Sequence, residues 1–181
     1  PISQADGRIH PNFRTTNTET GRLSCHDPNL LAFPARSALG LAVRNCFEAP
    51  EGWVFCNADL DQIEMRLMAH EAQDQAMIEA ISGGLDMHAS TASKMFRVPY
   101  EDCTKGGKYE KKYRTPAKSI GFLVIYRGGP DKLRESMASE GLVESREYWA
   151  EAIQAWYAIY PGVRKFQQSC DAEADLHGYV R

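Results

Sequence analysis

The hydrophobic positions of this chain change their rhythm near residue 60. Before that point they come in short runs set among turn residues. Residues 1–40 are rich in Gly, Pro, Asn, Ser and Thr, and apart from a short strand at Arg8-Ile9-His10 they predict extended loop and turn. Loops of this length in a compact protein usually bind something. The runs Leu41–Phe47 and Trp53–Asp59 flank the turn Pro50-Glu51-Gly52, which predicts a hairpin of two strands. From Gln62 onward the pattern becomes helical: Ile63, Met65, Leu67 and Met68 run into His70 and Ala72, with no Gly or Pro before Gly83. Further helices are predicted over 87–97, 116–127, 131–140, 145–159 and 162–176, separated by breaks that carry Gly or Pro. Gly178-Tyr179-Val180 predicts the start of another strand. A small sheet followed by a helical lobe makes the fold class α+β.

Composition narrows the class. With 181 residues, 43% of them hydrophobic, the chain can bury one sizeable core in one or two lobes. A formal charge of −3 advertises no polyanion partner, so any nucleic-acid contact must come from local clusters of Lys and Arg. Cys25, Cys46, Cys56, Cys103 and Cys170 are scattered and odd in number, which predicts neither a disulfide framework nor a zinc knuckle. No apolar run approaches the roughly 20 residues that span a bilayer, and no signal-peptide pattern opens the chain. The expectation is a soluble cytoplasmic protein without a membrane partner. A start at Pro1 and a stop at Arg181 predict a piece of something longer.

Two groups of residues carry candidate chemistry. In Asp59-Leu60-Asp61-Gln62-Ile63-Glu64-Met65-Arg66 an acid ends an apolar strand, and magnesium takes one or two carboxylates together with substrate phosphates, so Asp59 is a candidate ligand. The same segment also fits a plain helix start, with Asp59 or Asp61 as cap and Glu64 in the first turn. The second group, Arg114, Lys118, Phe122 and Tyr126, recurs every four residues, and each step drifts only roughly 40° around a helix axis. Thr115 fits an N-cap, Pro116 fits the first helical position, and Gly128-Gly129-Pro130 supplies the stop. Two cations and two aromatics on one face suit a triphosphate at one end and a base at the other. They also suit a helix whose aromatics are core, beside Ile120, Val124 and Ile125, and whose cations are solvated.

Taken in order along the chain, these segments resemble DNA polymerases of family A, the group of bacterial DNA polymerase I and related phage replicases. Asp59–Arg66 resembles motif A, and Arg114-x-x-x-Lys118-x-x-x-Phe122-x-x-x-Tyr126 resembles motif B. Thr20-Gly21-Arg22-Leu23-Ser24, Asp27-Pro28-Asn29-Leu30 and Pro34-x-Arg36 are similar to the family's primer-template loop. Asp86-Met87-His88 matches its Asp-x-His, and Tyr160-Pro161-Gly162-Val163 and Gly178-Tyr179-Val180 match later landmarks.

The resemblance implies part of a right-hand fold: 1–85 as partial palm with motif A, 86–160 as fingers with motif B, and 161–181 as the return towards the palm. It implies a DNA-directed DNA polymerase that transfers deoxynucleotides to a primer end with two magnesium ions. Asp59 would ligate both ions and the Leu60 carbonyl would ligate one. Gln62 and Glu64 would line the sugar pocket, with Glu64 blocking a ribose 2′-hydroxyl. His88, Arg114 and Lys118 would hold phosphates, and Lys118 would also protonate the departing pyrophosphate. Phe122 would pack on the nucleotide, and Tyr126 would sit where the templating base enters. Arg22, Asn29, Arg36 and Tyr126 would contact primer-template DNA, Arg22 in the minor groove. The family's second metal-binding carboxylate, in a His-Asp-Glu segment of motif C, has no counterpart here: His26-Asp27-Pro28 precedes motif A, and Asp171, Glu173 and Asp175 fall on a solvated helix. It is expected from a second polypeptide or a further C-terminal segment, the chain being a fragment or one part of a split enzyme.

The sequence departs from the family at several positions. Leu60 and Asp61 replace an aromatic and a Ser, Gly121 and Leu123 replace the Asn and Gly that flank the motif B Phe, and Arg127 replaces the Gly after Tyr126. Rival readings are a polymerase relic that only binds DNA or a replisome partner and a single-subunit RNA polymerase. Intact Asp59, Arg114 and Lys118 speak against the first, and Glu64 with Phe122 against the second.

Overall fold

The computed structural model describes residues 2–18, 21–34 and 37–180. The chain forms two compact units, Pro1–Ala58 and Asp59–Arg181.

In the first unit, β1 (Asn12–Arg14) and β2 (Ser24–His26) form an antiparallel pair in which Phe13 stands opposite Cys25. The expected strand at Arg8–His10 therefore lies a few residues further on. A short 3-10 turn, Leu30–Ala32, follows, with the Asn29 side chain accepting from the Leu31 amide. The predicted hairpin is not formed. Leu41–Arg44 belongs to helix α1 (Ala38–Arg44), which Ser37 starts by accepting from the Gly40 amide at 3.1 Å. A run of seven mostly apolar residues has no period of its own, and the upstream cap decides its conformation. Gly40 is required there, since a Cβ would lie 2.0 Å from the Pro34 carbonyl oxygen. Residues 53–60 carry no ladder, so Asp59 does not end a strand.

The second unit is helical: α2 (Ile63–Ala72), α3 (Gln75–Ser82), α4 (Met87–Phe96), α5 (Thr115–Ile125), α6 (Pro130–Ser139), α7 (Arg146–Ile159) and α8 (Pro161–His177). The boundary expected between residues 85 and 86 falls inside this unit, between α3 and α4. The apolar stretch after Gln62 breaks into α2 and α3 because Asp74 offers its carboxylate to the chain: Oδ1 accepts from the Met77 amide at 3.1 Å and caps α3. Its Oδ2 accepts from the Gly162 amide at 2.8 Å, tying the start of α3 to the start of α8. The main core gathers Met65, Ile120, Val124, Leu133, Met137, Trp149, Trp156 and Tyr160. A smaller cluster of Ala89, Ala92, Cys103 and Ala117 lies between α4 and α5. Gly178, at φ 78°, ends α8, and Tyr179 and Val180 beyond it are exposed rather than in a strand.

Thr115 is not an N-cap. A π-helical turn, Glu110–Arg114, runs directly into α5, and the Thr115 hydroxyl donates back to the Glu110 carbonyl at 3.3 Å. Pro116 keeps its place in the first turn.

Candidate functional site

The functional candidates of the second unit assemble around one carboxylate, Asp86. It precedes α4, and its Oδ1 accepts from the amides of His88 at 2.9 Å and Ala89 at 3.1 Å, which is an N-cap. Its Oδ2 receives both Arg114 Nε at 3.0 Å and Arg114 Nη2 at 2.7 Å. A third tie comes from α2, where Gln62 Oε1 accepts from the Met87 amide at 3.2 Å while its Nε2 donates to Asp61 at 2.9 Å. Gln62 reaches this position from a left-handed backbone, φ 53°. The starts of α2 and α4 and the turn before α5 are thus joined through adjacent polar groups.

This arrangement sets the local charge. Burial works against ionisation of Asp86, but the Arg114 hydrogen bonds, the Ala89 amide and the nearby positive charge outweigh it and hold the carboxyl below its ordinary range. His88 is buried, and loss of solvation, reinforced by Arg114 and Lys118 against the pull of Asp86, lowers its pKa to about 4. At neutral pH it is therefore an uncharged imidazole. Its Nδ1 has no partner among the described residues. The ring lies against Phe122, with centroids 5.7 Å apart, and Lys118 Nζ stands 5.8 Å from the Phe122 centroid.

His88, Arg114, Lys118 and Phe122 are therefore brought together. Arg114 is buried and ion-paired rather than solvated, and Tyr126 is 53% exposed at the end of α5 rather than in the core. Arg127, which stands where the family has Gly, keeps the left-handed conformation at φ 57° and pairs with Asp171 on α8, so Asp171 is not simply solvated. Neither Asp59 nor Asp61 is the cap of α2. Glu64 occupies its first turn. A cleft of about 380 Å³ opens beside the cluster, lined by Asp61, Gln62, Arg66, Asp86 and Lys105 among others.

Asp59 and Leu60 are exposed, and Asp59 makes no hydrogen bond or ion pair among the described residues. One unengaged carboxylate with a neighbouring carbonyl is the kind of donor set that suits a magnesium ion keeping waters and taking substrate phosphates. Among the described residues no three acidic, His or Cys side chains gather to hold a metal by themselves. In the first unit Arg22 is exposed, Asn29 caps its short turn, and Arg36 and Thr20 lie outside the described residues. Among the described residues no helix is long and apolar enough to cross a membrane.

The role of Asp86 escaped the sequence reading, although an Asp immediately before a predicted helix is a capping signal. The part played by Gln62 in joining α2 to α4 left no trace in the local pattern.

The profile of DNA polymerase family A matches residues 1–181. DNA polymerase I of Pseudomonas aeruginosa is 37% identical over 179 residues, which is 99% of this chain and 18% of that protein. The thermostable DNA polymerase I of Thermus aquaticus is 36% identical over 179 residues, 99% of this chain and 20% of that protein. The chain thus spans about a fifth of the length of these relatives. The POL domain of Pol1 from M. smegmatis, solved in complex with DNA primer-template and dNTP, matches with a TM-score of 0.78 at 32% identity, covering 99% of this chain and 30% of that one. On the strength of the profile, these identities and the shared helical architecture, residues 1–181 belong to DNA polymerase family A.

Proposed function

We propose that this segment binds the incoming deoxynucleoside triphosphate of a template-directed DNA polymerase and helps transfer its nucleotide to a primer end. What carries the reading is the Arg114 guanidinium fixed by Asp86 beside neutral His88 and Lys118, on the approach to a helix that presents Phe122 and Tyr126. Arg114 and Lys118 supply positive charge for the β- and γ-phosphates, and His88 offers its unpartnered Nδ1. In this reading Lys118 also protonates the departing pyrophosphate. Phe122 packs on the nucleotide, Tyr126 meets the templating base, and Gln62 and Glu64 line the sugar pocket. A 2′-hydroxyl pressed on the half-buried Glu64 carboxylate loses its water without gaining room.

Asp59 and the Leu60 carbonyl would hold magnesium, which neutralises charge developing on the transferring phosphate. In this reading the second carboxylate comes from polypeptide outside these residues, continuing or separate. Arg22, Asn29 and Arg36 contact primer-template DNA. Residues 1–85 serve as partial palm, 86–160 as fingers and 161–181 as the return towards the palm.

The test is titration of the 181-residue chain with dATP, with and without magnesium. Affinity should rise with magnesium, and Lys118→Ala should weaken binding at least about tenfold, the loss of one charge-assisted contact, with an unchanged circular dichroism spectrum. Binding that ignores both magnesium and Lys118 would overturn the reading. Where the second carboxylate is supplied, primer extension should vanish with Asp59→Ala, and Glu64→Ala should admit ribonucleotides.

A further inference from the structure

We propose that the lysine-rich loop leading into α5 is a separate contact for single-stranded nucleic acid. Residues 105–112 read Lys-Gly-Gly-Lys-Tyr-Glu-Lys-Lys, four cations against one acid in a chain whose formal charge is −3. Lys105, Lys108, Lys111 and Lys112 are all exposed. No carboxylate among the described residues pairs with any of them, while Asp61, Asp86, Asp131 and Asp171 all pair with arginines. The acid of the run, Glu110, is turned back into the loop, where its Oε2 accepts from the Gly106 amide at 2.8 Å. Asp102 acts on Lys108 through space, but none of the four ammonium groups is held in an ion pair among the described residues.

The loop is built rather than slack. The Tyr109 amide donates to the Asp102 carbonyl at 2.7 Å, and the chain then winds through the π turn into α5. Gly107 packs so closely that a Cβ would lie 2.5 Å from the Asp102 carbonyl oxygen. Tyr113 stacks on Phe96 with centroids 4.4 Å apart, and Tyr109 lies 5.1 Å from Tyr113. Lys108 Nζ stands 4.8 Å from the Tyr109 centroid and Lys112 Nζ 5.1 Å from the Tyr113 centroid. Ammonium groups already held over rings lose less freedom when they bind, which favours them as fixed counter-charges.

Successive ammonium groups along eight residues match successive phosphates better than one triphosphate, which the proposed function assigns to Arg114 and Lys118. A loop and one helical turn offer no long helix or ribbon to a duplex groove, whereas the backbone of a single strand bends to follow a small basic surface. Lys105 also lines the cleft that Gln62 and Asp86 share, so a strand on this loop passes beside the nucleotide cluster. The proposal rests on the polymerase reading only in taking nucleic acid as the polyanion.

The experiment measures binding of fluorescein-labelled dT12 to the 181-residue chain over a KCl series. Each of Lys108→Ala, Lys111→Ala and Lys112→Ala should flatten the slope of log K against log [KCl] by about 0.7, and the triple variant by about 2. Magnesium-dependent dATP binding at fixed ionic strength and the circular dichroism spectrum should be unchanged in that triple variant. Lys118→Ala should show the converse, weaker dATP binding with the dT12 slope kept, so a failure of the polymerase reading is seen separately. An unaltered dT12 slope in the triple variant would overturn the proposal. So would a loss confined to dATP, which would make these lysines steer the triphosphate, or equal binding of poly-glutamate, which would mark a surface for acidic proteins.

Discussion

The two units treat their largest apolar side chains in opposite ways. In the first, Trp53, Val54 and Phe55 are 75%, 86% and 70% exposed, whereas in the second Trp149, Trp156 and Tyr160 are 2%, 0% and 0% exposed. The second unit closes its core with helices whose apolar faces meet, most of them after short connections, and it joins them with polar ties. The first has one three-residue ladder and one short capped helix, and its apolar run at 53–55 finds no core within its own unit. Helices complete their own hydrogen bonds and need only a face to bury. A strand-like run must have both ladder and face supplied by residues distant in sequence.

The sharpest way to break this contrast is Asp86→Ala, which removes the cap of α4 and strands the buried Arg114 guanidinium. Loss of a partner from such a pair costs about 3–5 kcal/mol. Urea melts followed by the buried tryptophans should shift accordingly, and a shift under about 1 kcal/mol would mean the ties are incidental to the second unit.

A change of pH should act on the same cluster. His88 has a folded pKa of about 4 against an ordinary 6.5, so between these values the unfolded chain takes a proton that the folded chain refuses. Stability should fall as the pH is lowered through that window, by up to about 1.4 kcal/mol per unit. Asp86, with its carboxyl held below 3.8, adds its own loss only below that pH. His88→Gln should flatten the upper window, and melts at pH 7, 5.5 and 4.5 would show it.

Two glycines sharpen the picture on a smaller scale. A Cβ on Gly162 would lie 2.8 Å from Asp74 Oδ2, so Gly162→Ala should cost about 1–3 kcal/mol. A Cβ on Gly121 would meet only the flexible end of Met65, at 3.4 Å, and Trp156 Nε1 at 3.5 Å. Gly121→Ala should therefore stabilise by up to about 1 kcal/mol through helix propensity. Without perturbing stability, acrylamide should quench Trp53 and spare Trp149 and Trp156, and Trp53→Phe should remove most of the quenchable signal.

The contrast also explains what the sequence disclosed. The helices expected at 87–97, 131–140, 145–159 and 162–176 correspond closely to α4, α6, α7 and α8, because period and Gly or Pro punctuation are local. The hairpin over 41–59 failed because an apolar run lacks a period, and Ser37, the residue that decides, lies outside it. The break at Asp74 and the π turn before Arg114 depend on bonds to distant or unusual backbone partners, which spacing does not encode. Four-residue spacing did bring Lys118 and Phe122 together, and Asp86-x-His88 marked a segment whose carboxylate caps α4. That Asp86 holds Arg114 across 28 residues is a tertiary fact.

Asp74 reaches Gly162 over 88 residues, and Thr91 meets the Tyr160 hydroxyl over 69, at 2.8 Å. Both closures require the chain through the start of α8. During synthesis the cap of α3 forms locally, whereas the second bond of Asp74 and the contact of Thr91 with Tyr160 wait until residues 160–162 have emerged. A cut anywhere between residues 91 and 160 would separate both pairs, and the two pieces would have to associate before Asp74 and Thr91 regain these partners.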